Sequence, residues 1–296
     1  LARAQTNIVT EAFAVVNPGV LVDTVLVTTK GDTSSAPLDQ IGGTGVFVSA
    51  LRDALLAGEI DIAVHSFKDL PTAAVRGIAL GAVPRREDPR DALCARDEMT
   101  LLDLPRGARI GTGSPRRTAQ LRALDLGLEI VPIRGNVDTR LARVGDDLDA
   151  VVLAVAGLQR LRQAHLVTQL LDPIQVLPAA AQGALAVECR ADDDDARALL
   201  APLDDHATRA AVAAERSLLA ALEAGCTAPV GALAEVSETD DGGLEVFLRG
   251  SVTAIDGNDV VRLSATGPLN TAEEVGRRLA ADLIDLGANI MMGSST

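Results

Sequence analysis

Tryptophan and tyrosine are absent from this chain, and phenylalanine occurs only four times in 296 residues. Modules that grip nucleic acid by stacking bases on aromatic rings would have almost nothing to stack with. A formal net charge of −14 also removes the attraction to phosphates on which such binding rests, so nucleic acid is not expected as a partner. Three cysteines, Cys94, Cys189 and Cys226, are odd in number and too widely spaced for a disulfide framework or a zinc site. The histidines, His65, His165 and His206, have no metal-ligand spacing with them, and no metal is expected. No uninterrupted apolar run approaches the roughly 20 residues of a membrane span. The expectation is a soluble protein of a reducing cytoplasm, with no membrane contact.

Lysine is nearly missing too, with only Lys30 and Lys68 beside 25 arginines. Arginine is thus the default cation, and its position matters more than its presence. Between Arg109 and Arg143 seven arginines meet only three acids. The pattern there predicts a strand at 109–112, a helix at 115–126 opened by Ser114-Pro115, a strand at 129–133 and a helix at 137–144, with Gly127 as a helix stop. Arg116 and Arg117 then fall in a first helical turn, where the dipole disfavours a cation by about 0.3–1 kcal/mol. In parallel α/β sheets ligands bind beyond the carboxyl ends of strands. Three such ends carry arginine here: Arg116 and Arg117 after Ser114, Arg134 before Gly135, and Arg160 after the strand 150–155. Planar guanidinium forks at that edge suit a carboxylate or phosphate ligand.

Elsewhere the hydrophobic residues, 48% of the chain and mostly Ala, Val and Leu, suffice for two or three domain cores. A helix over residues 1–16, a strand at 20–28, a helix at 46–57 and strands at 60–65 and 78–83 make a first α/β unit. The charged, Pro-broken segment Arg86 to Asp91 reads as a crossover into a second unit, which ends near Leu177. A small-residue run, Ala179-Ala180-Ala181-Gln182-Gly183, then returns the chain to a buried strand at 184–189. The expected fold is α/β: two lobes with a cleft between them, 1–85 with 184–203 and 91–177, followed by a small α+β domain at 204–296. That last domain should hold a helix at 207–224, three antiparallel strands separated by the turns at 241–243 and 256–258, and a final helix to about Leu286 opened by a capping box at Thr271.

Asp69, just past the apolar strand in His65-Ser66-Phe67-Lys68-Asp69, is the best candidate for a catalytic carboxylate, because an anion at a ligand-bearing edge can hold a developing cation. A salt bridge with Lys68 or a helix cap would explain it equally well. Cys226 follows a helix end, where a thiol is not activated; alone it reads as a small buried residue. Gly42-Gly43-Thr44-Gly45 lacks the Gly-Lys-Ser/Thr ending of a phosphate loop. On residues alone, a non-catalytic binding protein for a carboxylate or phosphate ligand accounts for the arginines as well as an enzyme does.

Seven motifs in order, HSFKDLPT (His65 to Thr72), REDPRDA (Arg86 to Ala92), GTGSPRR (Gly111 to Arg117), RGNVDTRL (Arg134 to Leu141), LAVAGLQRL (Leu153 to Leu161), LPAAAQGALAVECR (Leu177 to Arg190) and EAGCTAPVGA (Glu223 to Ala232), closely resemble the porphobilinogen deaminases, or hydroxymethylbilane synthases. The resemblance implies two lobes like those of periplasmic binding proteins plus a third α+β domain. It implies a dipyrromethane cofactor, one per chain, bound to Cys226 through a thioether. It further implies a monomeric cytoplasmic transferase of tetrapyrrole (heme, porphyrin) biosynthesis. Four porphobilinogen molecules are condensed head to tail on that primer with loss of ammonia, and hydrolysis releases linear hydroxymethylbilane. By the same resemblance Asp69 is the catalytic residue, stabilising the cation left when ammonia departs. Lys68, Asp69, Thr112, Ser114, Arg116, Arg117, Arg134 and Gly135 bind the cofactor, and Arg140, Arg160, Ser66 and Gln182 bind substrate. Two positions depart from the family pattern: Thr44 stands where lysine is expected, and Gly113 where serine is common.

Overall fold

The computed structural model describes residues 1–27, 45–224, 228–240 and 242–292. Along the chain lie α1 (Ala2–Val16), α2 (Gly45–Leu56), β1 (Ile62–Ser66), β2 (Ile78–Ala82), β3 (Asp91–Ala95), β4 (Arg109–Thr112), α3 (Pro115–Ala123), β5 (Glu129–Pro132), α4 (Val137–Leu141), β6 (Ala150–Ala154), α5 (Val155–Arg160), β7 (Gln169–Leu170), β8 (Leu185–Arg190), α6 (Asp194–Leu200), α7 (His206–Ala221), β9 (Val230–Glu238), β10 (Leu244–Thr253), β11 (Val260–Pro268), α8 (Ala272–Asp285) and α9 (Ala288–Met291). Two compact units result: residues 1–86 with 184–209, and residues 87–183 with 210–296.

The first unit is built on a three-stranded antiparallel sheet in the order β1-β8-β2. β8 is central, and its residues Leu185 to Cys189 are all buried, as expected for a strand covered on both faces. α1 presents Gln5, Val9 and Phe13, one face at a spacing of four. Val9 and Phe13 pack with Leu185, Val187, Leu200 and Leu203. The strand expected at 20–28 is not found: residues 21–27 join no ladder among the described residues, and Leu21 and Leu26 stand 95% and 63% exposed. Alternating apolar residues make a strand only when a neighbouring backbone takes up their N–H and C=O groups.

The second unit contains a mixed five-stranded sheet, β5-β4-β6-β3-β7. β5, β4 and β6 run parallel, while β3 is antiparallel to both β6 and β7. Leu93, Ile110 and Val152 form a core on one face, and Ala92, Cys94, Val151 and Leu153 on the other. The same unit carries the antiparallel meander β9-β10-β11. On it lie α7 and α8: Leu218 of α7, Leu222 just beyond it, and Val275, Leu279 and Leu283 of α8 pack against Val246, Leu248 and Val252. The two sheets of this unit are pinned together by arginine. Arg122 donates to the Ile255 carbonyl at 2.7 Å, and Arg262 donates to the carbonyls of Ile174 and, at 3.1 Å, Gln175. The backbone of Ala232 adds a bond to Pro178 at 2.8 Å.

Thr271 precedes α8 but does not form the expected capping box. Its hydroxyl donates to the Pro268 carbonyl at 3.1 Å instead of accepting from the helix, because the 269–271 turn brings that carbonyl within its reach.

Gly276 lies inside α8, where alanine would be favoured by about 1 kcal/mol in an isolated helix. A Cβ there would lie 2.2 Å from the Ala214 carbonyl oxygen and 2.9 Å from the Leu218 nitrogen. Those atoms are backbone of α7 and cannot rotate aside. Gly276→Ala is expected to destabilise the protein by about 1–3 kcal/mol, read as a lowered denaturant midpoint; an unchanged or raised midpoint would show that the α7–α8 contact is looser than this.

Candidate active site

Because β5, β4 and β6 are parallel neighbours, their carboxyl ends share one edge of the sheet. β4 runs out at Thr112, whose buried hydroxyl accepts from the Ser114 backbone N–H at 3.2 Å. Ser114 is the N-cap of α3, accepting from the Arg117 N–H at 3.4 Å, with Pro115 as the first helical residue.

Arg116 and Arg117 do not spread into solvent. Both turn inward to one carboxylate, that of Asp91 at the start of β3, which has no exposed surface. Arg116 Nη2 donates to Asp91 Oδ2 at 2.8 Å, and Arg117 donates to Oδ1 through Nη2 at 2.7 Å and Nε at 3.1 Å. The side-chain amide of Gln182 completes the shell with a 2.7 Å bond to Oδ1 and another of 2.8 Å to the Pro89 carbonyl. The Nη1 groups reach the carbonyls of Leu177 (from Arg116, 2.6 Å) and Val152 (from Arg117, 2.9 Å). Burial works against an ionised Asp91, but the two guanidinium charges and the hydrogen bonds win and hold its carboxyl far below the usual range. Burial pushes Arg116 down, and Arg117 adds to this while Asp91 opposes it. This pairing offsets the cost of two cations at a helix start.

Nearby, Arg140 on α4 donates from Nε to the Gly135 carbonyl at 2.8 Å, a bond made possible by the left-handed backbone of Gly135 at φ +103°. Its Nη2 would lie 3.9 Å from a Cβ placed on Gly113, which puts it at the Thr112–Ser114 turn. Burial lowers its pKa, and repulsion from Arg117 lowers it further. Arg134, at the end of β5, is exposed. Neither Arg134 nor Arg140 has a carboxylate partner among the described residues. Arg116 and Arg117 thus share the single charge of Asp91, Arg140 lies close enough to Arg117 to be repelled by it, and Arg116 Nε is buried without a hydrogen-bond partner. Such a surplus of guanidinium charge fits a ligand carrying several carboxylates.

Two further residues expected to bind substrate have protein partners of their own. Gln182 is buried and turned to Asp91. Arg160 on α5 has its guanidinium buried, with Nε 2.6 Å from Glu87 Oε2 and Nη2 donating to the Gly183 carbonyl at 2.8 Å. Both are committed to the protein itself. The departure at Gly113 also has a structural reason: a Cβ there would lie 2.6 Å from the Ile133 carbonyl oxygen, so this chain's β4–α3 turn admits only glycine without a shift.

In the first unit, β1 delivers Ser66, and a 3-10 turn over Phe67–Asp69 follows. Ser66 Oγ accepts from Gln5 Nε2 at 2.6 Å. Phe67 is buried and its N–H bonds to the Ala184 carbonyl at 3.1 Å, anchoring the turn. Lys68 is half-buried, whereas Asp69 projects from the surface. The Asp69 carboxylate makes neither an ion pair with Lys68 nor a capping bond, and it has no side-chain partner among the described residues. Behind β1, Glu188 of β8 takes a two-pronged contact from Arg52 and faces His65. Cys226 and Gly42–Thr44 lie outside the described residues.

Sequence reasoning overlooked Asp91 and Glu188. Each is an acid within a run that is otherwise apolar, DALCA and LAVEC, and that misfit was the available signal.

Residues 1–198 match the family model described as porphobilinogen deaminase, dipyromethane cofactor binding domain, and residues 209–285 match the porphobilinogen deaminase C-terminal domain. The chain belongs to the porphobilinogen deaminase family. The porphobilinogen deaminase of Nocardia farcinica is 57% identical over 297 residues, spanning 99% of this chain and 85% of that protein. Those of Mycobacterium tuberculosis and Mycobacteroides abscessus are 55% and 58% identical, over 98% and 91% of this chain and 95% and 89% of their own lengths. Among solved structures, the L-cystine solute receptor of Neisseria gonorrhoeae aligns over 51% of this chain and 63% of its own, at 16% identity and a TM-score of 0.30. The family is one of transferases, and its dipyrromethane-binding domain is the part that carries the arginine cluster described above. No described helix is long and apolar enough to cross a membrane.

Asp91→Asn leaves both buried guanidinium groups uncompensated, and breaking such a pair typically costs about 3–5 kcal/mol; equilibrium denaturation should show it, and a loss under about 1 kcal/mol would mean that the cluster is not a structural keystone. The acid limb of stability provides a second check. Glu188 is penalised by burial but held by His65 and Arg52 at about 2, against an ordinary 4.5. Its contribution is present above 4.5 and is lost as pH falls from there towards about 2. Tm should therefore drop steeply through that window, and a flat Tm there would contradict the pairing.

Proposed function

We propose that this chain is a hydroxymethylbilane synthase: it joins four porphobilinogen molecules head to tail on a covalently held dipyrromethane, releasing ammonia at each step, and then frees the linear tetrapyrrole by hydrolysis. The observation that supports this most is the surplus of arginine over carboxylate at the ends of β4 and β5, in a domain whose family binds a dipyrromethane. Each pyrrole carries an acetate and a propionate, so a growing chain is a polyanion that an otherwise acidic protein must hold locally. Arg134 and Arg140, with no carboxylate partner among the described residues, would take those groups, and Thr112 and Ser114 would add hydroxyls. Arg116 and Arg117 would contribute through the charge that Asp91 leaves uncancelled.

When bound, the dipyrromethane supplies the primer pyrrole to which the first unit is joined, and Cys226 is its anchor. Asp69 would do the electrostatic work. Loss of ammonia from porphobilinogen leaves a cationic methylene-pyrrole, and a carboxylate without a cationic partner among the described residues is suited to accept the pyrrole N–H and stabilise that charge. Lys68 and Ser66 would orient the reacting ring beside it. The three-domain division, 1–85 with 184–203, 91–177 and 204–296, a monomeric state and a cytoplasmic location belong to the same proposal. A non-catalytic carboxylate-binding protein would use the arginines equally well, but family membership does not favour it.

Asp69→Asn should keep the cofactor mass on the denatured protein while kcat falls about 100- to 1,000-fold; turnover within a few-fold of wild type would remove Asp69 from the mechanism. Cys226→Ala should lose that mass altogether in intact mass spectrometry. A retained adduct would point to another anchor.

A further inference from the structure

The buried cluster Arg52–Glu188–His65 has no part in the chemistry above, yet it lies directly behind the strand that presents Asp69. We propose that Glu188 is a positioning residue for Asp69, acting through His65; this rests on the reading of Asp69 as the catalytic carboxylate. Glu188 belongs to β8, the central strand of the first unit's sheet, and pairs across the ladder with Ala63 of β1. His65, two residues further along β1, shares that face of the sheet, and its Nε2 lies 3.3 Å from Glu188 Oε2. From the other side Arg52 of α2 closes a fork on the same carboxylate, Nη2 to Oε1 at 2.6 Å and Nε to Oε2 at 3.0 Å. All three side chains are buried, at 9%, 4% and 7% exposure for Arg52, Glu188 and His65.

The contact fixes position at one point. β1 has only Ser66 left after His65 before the chain enters the 3-10 turn that ends on Asp69. Beyond His65 that turn is held by the Phe67 N–H bond to Ala184 and the Gln5 bond to Ser66. Asp69 itself has no side-chain partner to orient it among the described residues. Its carboxylate is therefore placed by the turn that carries it, and the last side chain on β1 that lies beside a charged pair is His65, 3.3 Å from Glu188. An apolar residue at 188 would fill β8 without ordering the strand end. A carboxylate shared between a guanidinium fork and an imidazole fixes the rotamers of both and the register between α2, β8 and β1.

The test uses the cofactor-loaded enzyme and the variants Glu188→Gln and Arg52→Lys. Glu188→Gln keeps the shape but removes the charge. It should lower kcat about 10- to 100-fold, the scale of a misplaced catalytic group, with KM within about twofold and the cofactor mass unchanged. Arg52→Lys keeps a cation but loses the fork, and should give a smaller fall in kcat with the same split. It also serves if the glutamine variant does not fold. One-bond and long-range 1H–15N spectra of the imidazoles should show the His65 signals shifted in Glu188→Gln, with His165 and His206 unmoved. A lower Tm with kcat unchanged in the loaded enzyme would overturn the proposal, as would a loss confined to KM. If Asp69→Asn leaves turnover intact, the catalytic reading itself fails. If only the Glu188 and Arg52 variants leave it intact, that reading survives and the positioning role alone is lost.

Discussion

A carboxylate with no exposed surface, held between two guanidinium groups, is the constraint on which the second unit depends. Asp91 opens β3, Arg116 and Arg117 open α3, and Gln182 belongs to the segment leading back to β8, so three stretches remote in sequence meet at two oxygen atoms. Removing the carboxylate would strand two guanidinium charges in a medium that cannot solvate them. The arrangement also leaves net positive charge behind, since two cations face one anion. Structural need and ligand affinity are thereby joined in one cluster: the protein must bury Asp91 to keep the arginines there, and the uncancelled charge favours polyanions.

The arginines were legible as a group, and so were the starts of the elements bearing them, because Ser114-Pro115 and the apolar stretches of β4 and β6 are strong local signals. Both helices, α3 and α4, end three residues earlier than expected. What each arginine does was less legible. Arg116, Arg117 and Arg160 all stand at strand ends in a pattern that suits an anion site, yet Arg160 is paired with Glu87 and the other two with Asp91. Arg134 and Arg140 are the ones without carboxylate partners among the described residues. Guanidinium groups of identical type differ only in what tertiary packing brings beside them, and spacing along the chain does not encode that.

The failures have the same origin. Residues 20–28 have the alternation of a strand, but alternation describes a side-chain pattern and a strand needs a backbone partner, which 21–27 lack among the described residues. Thr271 has the spacing of a capping box, but its hydroxyl finds the Pro268 carbonyl first. Asp69 was ambiguous in sequence, where Lys68 beside it offered an obvious salt bridge. Adjacent residues in a 3-10 turn need not face each other, and in the fold the bridge is not made.

The position of β8 bears on how the chain acquires this structure as it is synthesised. Its ladder with β1 joins Ala63 to Glu188, and β2 borders the same strand on its other edge. Until residue 190 has left the ribosome, β1 and β2 lack the strand that lies between them. They must wait through the synthesis of the whole five-stranded sheet, whose own strands lie between residues 91 and 170. The five-stranded sheet can therefore form before the sheet of the first unit, which is completed by a strand from beyond it. Contacts so distant in sequence make closure slow, and during that interval β1 and β2 are open to pairing with other chains.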